Sequence, residues 1–527
     1  MRIEFLDSVS SDERIVADIC LVGSGPAALT IARELGDKNI RIAIVESGGM
    51  ADNFAPQSSF ENIGEPRIAE LSLVRNRIFG GTSHQWSGRC AMFDSIDFQH
   101  RSWVPMSGWP IDLAEMSPFV TRASKYIGIG AYLEEAFEKT YGGPRSNEFP
   151  GVSSPLSVFF WTFSRDQSDQ FEHMRFGPAF LKTAQKNVEV FLHATATHIN
   201  TTDNGLSVTG LEVTDRNGRR FEVEAPLVVL CCGGIENPRL LLASNRVTPT
   251  GLGNSRDMVG RYLMDHPKCI IADFDPVAAE SLRESYSFFR LESGAVVAAG
   301  FALSAATQER EKLLNCAAWL DEDRAADDPW DAIKRLRRPG PAGRKMTDVW
   351  AVLADPNLLL RGARRIFERR GVPHKLNRLF LSAIVEQVPD PESRLTLLPQ
   401  RDAFGVPLPR IDWRISQLER KSVSRLAELI ETEISKLGFA RPSRILDPKF
   451  LDAAHPSGTT RMAEDQFNGV VDKNCAVHGV RGLYVAGSSV FPTAGHANPT
   501  LLIVSMAVRL ADHLRLRLQE GVTSIVA

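Results

Sequence analysis

At 527 residues the chain is too long for one simple core, and its 43% hydrophobic and 24% charged content is that of a globular protein built from two or more packed units. A formal net charge of −3 argues against a nucleic-acid or other polyanion partner. Seven cysteines, an odd number without CxxC spacing, argue against a disulfide framework or a zinc site and fit small buried hydrophobes in a reducing compartment.

The first residues, "MRIEFLDSVSSDERIVADIC", carry early acids and no apolar run of the signal-peptide kind. No stretch reaches the ~18 to 20 apolar residues of a transmembrane helix, so a cytoplasmic protein without an integral membrane segment is expected. Next comes "ADICLVGSGPAALTIARELGDKNIRIAIVESGG", which reads as strand, glycine turn, helix, strand. Ile19 to Val22 form an apolar run suited to a parallel sheet, and Gly23, Gly25, Pro26, Ala27 and Ala28 open the helix. Such a turn lets a pyrophosphate approach bare backbone N–H groups at a helix N-terminus. Glu46 ends the second strand, where a carboxylate accepts from a ribose diol and disfavours a 2′-phosphate. The cofactor is therefore FAD or NAD, with the early position of the motif and the "ESGG" continuation pointing to FAD.

Further along, "RNRIFGGTSHQWSGRC" offers Gly80, Gly81, Thr82 and Ser83 for a second phosphate or ring contact, followed by Trp86. "NVEVFLHATATHI", which contains Thr197, and "LVVLCCGGIENPRLLLAS", which contains Gly233, read as strands closing a nucleotide site. "GLYVAGSSVFPTAG" has the same shape, an apolar strand ending at Gly487 and Ser488. Pieces spread from residue 23 to residue 498 suit one large flavin wrapped by a discontinuous domain. From about 305 to 378 the chain reads as charged amphipathic helices joined by a Pro/Gly hinge, a surface insertion or lid. "RLTLLPQRDAFGVPLPRIDW" reads as strand, turn, strand. At the end, Asn498 stands before Pro499 and Thr500 as a helix cap.

Together "GSGPAA" with Glu46, "FGGTSHQW", "GNSRDMVGRYLMDHP" and the block "HPSGTTRM…NGVVDKNCAVHGVRGLYVAGSSVFPTAGHANPTL" resemble the glucose–methanol–choline oxidoreductases, FAD-dependent alcohol oxidases and dehydrogenases. "GWPIDLAEMSPFVTRASKYIGI" is most similar to the pyranose oxidase and fructose dehydrogenase branch. The resemblance implies an α/β fold: a Rossmann-like, discontinuous FAD-binding domain from 1–104, 180–265 and 450–527. An α+β substrate-binding domain on an antiparallel sheet would come from 105–179 and 266–449. It places the cofactor against Gly23, Gly25, Pro26, Ala27, Glu46, Gly80, Gly81, Ser83, Trp86, Thr197, Gly233, Gly487, Ser488, Asn498, Pro499 and Thr500.

It also implies a catalytic pair, His455 in "HPSGTTRM" and Asn498 before the last helix. Oxidising an alcohol moves a hydride to flavin N5 while the hydroxyl proton leaves, and a neutral imidazole contributes ~10²- to 10⁴-fold as proton acceptor. Asn498 would hold the same oxygen without competing for the proton. His496 is expected to support the pair, and His266 and His478 to be structural. Members with a tethered flavin carry His four positions after the GG pair. Here that position is Gln85, with His84 one step earlier, so FAD is expected to be non-covalent. The expected partners are a sugar or other small alcohol and an electron acceptor, O₂ or another, with homo-oligomers possible and no metal. The alternatives are an NAD dehydrogenase and a lyase that keeps FAD without net redox chemistry.

Overall fold

The computed structural model describes residues 1–10, 14–36, 39–51, 61–63, 75–129, 154–166, 172–183, 185–292, 294–336 and 342–526. Strands of a parallel sheet covered on both faces are apolar throughout, and Ile19–Val22 and Ile42–Glu46 are buried at every position. They lie inside a six-stranded sheet ordered Arg2–Phe5, Val188–Leu192, Ile42–Glu46, Ile19–Val22, Val228–Leu230, Leu483–Val485. All its pairings are parallel. Three distant parts of the chain thereby end their strands along one edge, where Gly23, Cys231 and Ala486 follow.

The crossover helix Pro26–Glu34 buries Ala27, Ala28, Leu29, Ile31 and Ala32 against this sheet. Proline starts it without leaving an unpaired N–H. The helices Leu113–Tyr126 and Thr500–Val526 pack beside it. Arg122, on the first of these, pairs with Glu34 and with Asp512, one from each neighbour.

A second large sheet is antiparallel: Ser443–Arg444, Lys268–Phe274, Leu376–Val385, Cys316–Arg324, Val296–Leu303, Leu156–Phe163 and Arg89–Cys90 in order. Its side chains alternate between two cores, as pleating requires. Ala318, Phe301 and Ala383 pack with Val423, Leu426 and Ile430 of the helix Gln417–Lys436. Ala317, Trp319, Trp161 and Ile384 face the core of the parallel sheet. The fold is thus α/β, with one parallel sheet, one large antiparallel sheet and two small mixed sheets among the described residues.

Several readings need correcting. Cys316–Arg324 lies within the stretch read as helical, yet it is an interior strand paired with Val296–Leu303 and Leu376–Val385. Its second half emerges toward solvent and carries charge, which masked the apolar signal of Cys316 to Leu320. Helices in that stretch are Ala305–Glu311, Pro329–Leu336, Ala342–Ala354 and Pro356–Phe367. The hinge between the second and third falls at 337–341, outside the described residues, as does 130–153 of the expected substrate unit. The hairpin Arg394–Arg401 and Pro407–Asp412 forms as read, but it joins Glu61–Ile63 in a separate sheet. It leans on the helix Gly233–Ala243, where Arg239 donates to the Pro407 carbonyl at 2.7 Å and pairs with Asp402. Thr195–Thr201 belongs to a small mixed sheet, antiparallel to Val208–Thr214, rather than to the parallel one.

Candidate active site

Between the parallel sheet's glycine-rich edge and the inner face of the antiparallel sheet lies a cavity of about 760 Å³. One end is built from the first strand–helix turn. Gly23 has φ +91°, and a Cβ there would stand 3.1 Å from the Cys231 carbonyl oxygen. Gly25 caps the helix Pro26–Glu34 with no side chain of its own. The Glu46 carboxylate closes the turn, accepting from Ser24 N at 3.0 Å, Ser24 Oγ at 2.6 Å and Gly48 N at 2.7 Å. Burial raises its pKa, and those hydrogen bonds oppose the rise.

Of the residues expected to hold a cofactor, Gly23, Gly25, Pro26, Ala27, Glu46, Gly81, Ser83, Trp86, Gly233, Gly487, Ser488, Asn498, Pro499 and Thr500 line this cavity. Gly80 does not: its φ of +102° and a virtual Cβ 2.6 Å from Gly177 N make it a steric requirement of the turn behind the wall. Thr197 does not either. Its hydroxyl bonds Glu212, and the neighbours Thr195 and Ala196 take the lining positions. The strand is irregular there: its pairing with Val208–Thr214 shifts register between Ala196 and His198, which leaves Thr197 without a partner position.

The residues fit an extended dinucleotide. Gly233 (φ +79°) and Gly487 (φ +107°) have nothing within 4 Å of where a Cβ would stand, so a side chain at either would project into open space along the glycine edge. Bare amides at a helix start, a buried acid one turn away and these two open glycines are what a pyrophosphate-linked nucleotide requires. Arg75, Asn76 and Arg77 line the same end and were not anticipated; Arg75 pairs with Glu236.

At the other end stand His455 and Asn498, the imidazole Nε2 3.5 Å from the carboxamide Nδ2. The surrounding bonds fix both side chains. Burial pushes the His266 pKa down to about 4, so its ring is neutral and carries one proton. His266 Nε2 lies 3.1 Å from the Ala494 carbonyl oxygen, which can only accept, so the proton is there. His266 Nδ1 is then an acceptor, and the His455 Nδ1 2.9 Å away must donate to it. His455 Nε2 is left as a bare lone pair facing Asn498. The carboxamide is oriented by the same logic: Trp161 Nε1, which can only donate, bonds Asn498 Oδ1 at 3.0 Å, turning Nδ2 toward the imidazole.

His266 thus does more than the structural duty read from sequence. The capping expectation for Asn498 also changes, because its amide bonds Trp161 and His455 instead of the first helical turn. Asp265 locks the loop in place, accepting from the backbone N–H of His266 at 2.6 Å, Ala453 at 2.9 Å and His455 at 2.8 Å. Ala454, between them, is held at φ +60°. The His455 pKa is pushed well below 6.5, first by burial and then by His266, Arg89 and Lys268. It is a neutral acceptor at pH 7.

His496 stays outside the cavity lining. It is fully buried one layer back, its ring 4.6 Å from that of Phe159 and its Nδ1 4.0 Å from Asp94. Its position two residues before Asn498 suggested the pocket, but the chain turns it to the far side. His478 bonds the Ala463 carbonyl. His84 Nε2 lies 2.9 Å from the Phe79 carbonyl oxygen, while Gln85 lines the cavity. Arg89, Trp161, Lys268, Trp319 and Asp321 complete this end. Arg89 and Lys268 stand in quoted motifs, but no spacing rule marks Trp161 or Trp319, which strand pairing brings together, their rings 5.1 Å apart.

A nucleotide cradle running into a neutral imidazole and a carboxamide is what a flavin-dependent alcohol oxidoreductase would need. Models of the GMC oxidoreductase family match residues 176–268 and 389–507. The chain is similar to the fructose dehydrogenase large subunit of Gluconobacter japonicus, 22% identical across 97% of this chain and 100% of that one. It is also similar to paromamine 6′-oxidase of Streptomyces fradiae, 22% identical across 95% and 91%. Pyridoxine 4-oxidase from Mesorbium loti shares the fold, with a TM-score of 0.58 at 17% identity over 94% of this chain and 99% of that one. The protein is an FAD-dependent oxidoreductase acting on CH–OH groups. Among the described residues no helix is long and apolar enough to cross a membrane.

Proposed function

We propose that the protein oxidises a secondary hydroxyl of a sugar, glycoside or related polyol to a carbonyl, with His455 as general base and Asn498 as the positioning donor. The observation that carries this reading is the hydrogen-bond chain from Ala494 through His266, which leaves His455 Nε2 unprotonated opposite Asn498 Nδ2. A hydroxyl between these two atoms donates its proton to the imidazole and accepts from the carboxamide. FAD, when bound, supplies the two-electron acceptor. Proton removal by a placed imidazole contributes ~10²- to 10⁴-fold. A fixed donor at the developing alkoxide contributes ~10²- to 10³-fold. The names of similar proteins support a sugar-like substrate: fructose dehydrogenase, paromamine 6′-oxidase and C-glycoside 3-oxidase.

The glycine edge with Glu46 serves the dinucleotide within a cofactor-binding unit of 1–104, 180–265 and 450–527, and the antiparallel sheet, including Arg89–Cys90 from the first of those segments, supplies the substrate wall. FAD is held without a covalent tether, a reading supported by His84 being engaged with a backbone carbonyl while Gln85 faces the cavity. O₂ or another acceptor completes the cycle. The test is an anaerobic panel of sugars, glycosides and simple alcohols, read in the visible flavin band. Bleaching by one compound supports the reading, and acid precipitation leaving the flavin in solution supports the non-covalent assignment. His455→Ala and Asn498→Ala should keep FAD and lose bleaching; native-rate bleaching by either variant removes that residue from the mechanism.

A further inference from the structure

Two cations at the reacting end are not explained by oxidation of a neutral alcohol. Arg89 and Lys268 both line the cavity, Arg89 from one edge strand of the antiparallel sheet and Lys268 from the strand next to the other edge. They stand over the same indole: the Arg89 guanidinium carbon is 4.7 Å and Lys268 Nζ 5.2 Å from the centre of a Trp319 ring. Arg89 is also 5.1 Å from a Trp161 ring and 5.6 Å from Phe163, and its Nε is buried with no hydrogen-bond partner. Among the described residues neither cation forms a salt bridge. The carboxylates lining this end are Asp321 and Asp452. Asp321 accepts from Ser382 at 3.1 Å and attracts Arg89 without pairing with it. Asp452 accepts from Ala454 N at 3.2 Å and faces Asp265, whose pKa it helps to raise.

Both cations are half-buried, and a cation withdrawn from water is retained where a charged group completes it, since burying it unpaired is costly. Trp161 ties the place to the chemistry, because the indole beneath Arg89 also donates to Asn498. We propose that the substrate is an alcohol bearing an oxyanion, a carboxylate or a phosphate ester, which Arg89 and Lys268 bind while its hydroxyl reaches His455 and Asn498. A planar guanidinium fork and a point-charged ammonium gathered at one indole suit an oxyanion with two exposed oxygens. Aromatic rings beneath them exclude water and strengthen the contact. This rests on the reading of His455 and Asn498 as the hydroxyl site.

The test uses the purified holoprotein and needs no turnover. Acetate, inorganic phosphate and the neutral isostere acetamide are titrated at constant ionic strength set with chloride, and the visible flavin spectrum is followed. Saturable perturbation by acetate, by phosphate or by both, and none by acetamide, supports the proposal; the acetate and phosphate arms distinguish the two oxyanions. Lys268→Met and Arg89→Met should each weaken that binding about 10- to 100-fold while FAD is retained. Lys268→Gln repeats the test with a polar side chain should the methionine variant fold poorly. No oxyanion effect, an equal effect of acetamide or chloride, or unchanged affinity in every variant overturns the proposal. His455→Ala should still bind the oxyanion, so failure of the base assignment and failure of the oxyanion site are told apart.

Discussion

Replacing His266 with leucine tests the proton arrangement at the site more sharply than removing the base itself. In His266→Leu the His455 Nδ1–H loses its acceptor at 2.9 Å, and leucine offers none in its place. A buried donor left unpaired costs about 1–3 kcal/mol. The imidazole recovers part of that by moving its proton to Nε2, where it no longer serves as a base. Asn498 resists the change, because presenting its oxygen to an Nε2–H would break the 3.0 Å bond from Trp161. With tenfold in rate for each 1.36 kcal/mol, flavin reduction should slow about 10- to 100-fold. The assay is anaerobic stopped-flow reduction of the flavin band across pH, with FAD content measured on the same preparation. His266 also lowers the His455 pKa, so its removal should move the acidic limb of the rate profile upward. FAD loss proportional to the rate loss, with an unmoved limb, would mean a merely structural role. Native-rate reduction in a fully loaded variant would refute the tautomer argument.

Other consequences can be measured in parallel. Trp161→Phe keeps an aromatic side chain and deletes the donor to Asn498, and the rate constant for reduction should drop about 2- to 10-fold with FAD retained; an unchanged rate would show that Asn498 is oriented by something else. Because cations disfavour imidazolium, reduction should hold its plateau as pH falls through 6.5 and fail only below. Lys268→Met should shift that limb upward, and a downward shift contradicts the electrostatics. Arg101 and Glu386 are 1% and 0% exposed and bridge at 2.7 and 2.5 Å, so Arg101→Met, which strands the carboxylate, should cost about 3–5 kcal/mol in denaturant unfolding, whereas a loss near zero would mean that Glu386 finds another partner. Gly233→Ala adds a methyl where φ is +79° and the space is open, and should weaken FAD retention while the protein stays folded by circular dichroism.

What the sequence made legible follows from the length scale of each signal. The first strand–turn–helix is encoded within about twenty residues by local steric demands, so Gly23, Gly25, Pro26 and Glu46 could be read directly and all four line the cavity. His455 and Asn498 were legible only as members of ordered motifs, since a lone His before Pro carries no chemistry by itself. Thr197 failed because the strand's pairing shifts register between Ala196 and His198, an irregularity that no local pattern in the sequence announces, and its hydroxyl turns to Glu212. His496 failed because the bend at His496–Ala497 decides which neighbour faces inward. The largest omission was the wall formed by Trp161, Trp319, Arg89 and Lys268, four residues on four strands whose closeness exists only through long-range pairing. His266 belongs with them. Its role depends on which nitrogen faces Ala494, and that is set by a loop more than two hundred residues away in the chain. The parts that bind a common dinucleotide are thus written locally, while the parts that choose and activate a particular alcohol arise where the two sheets meet.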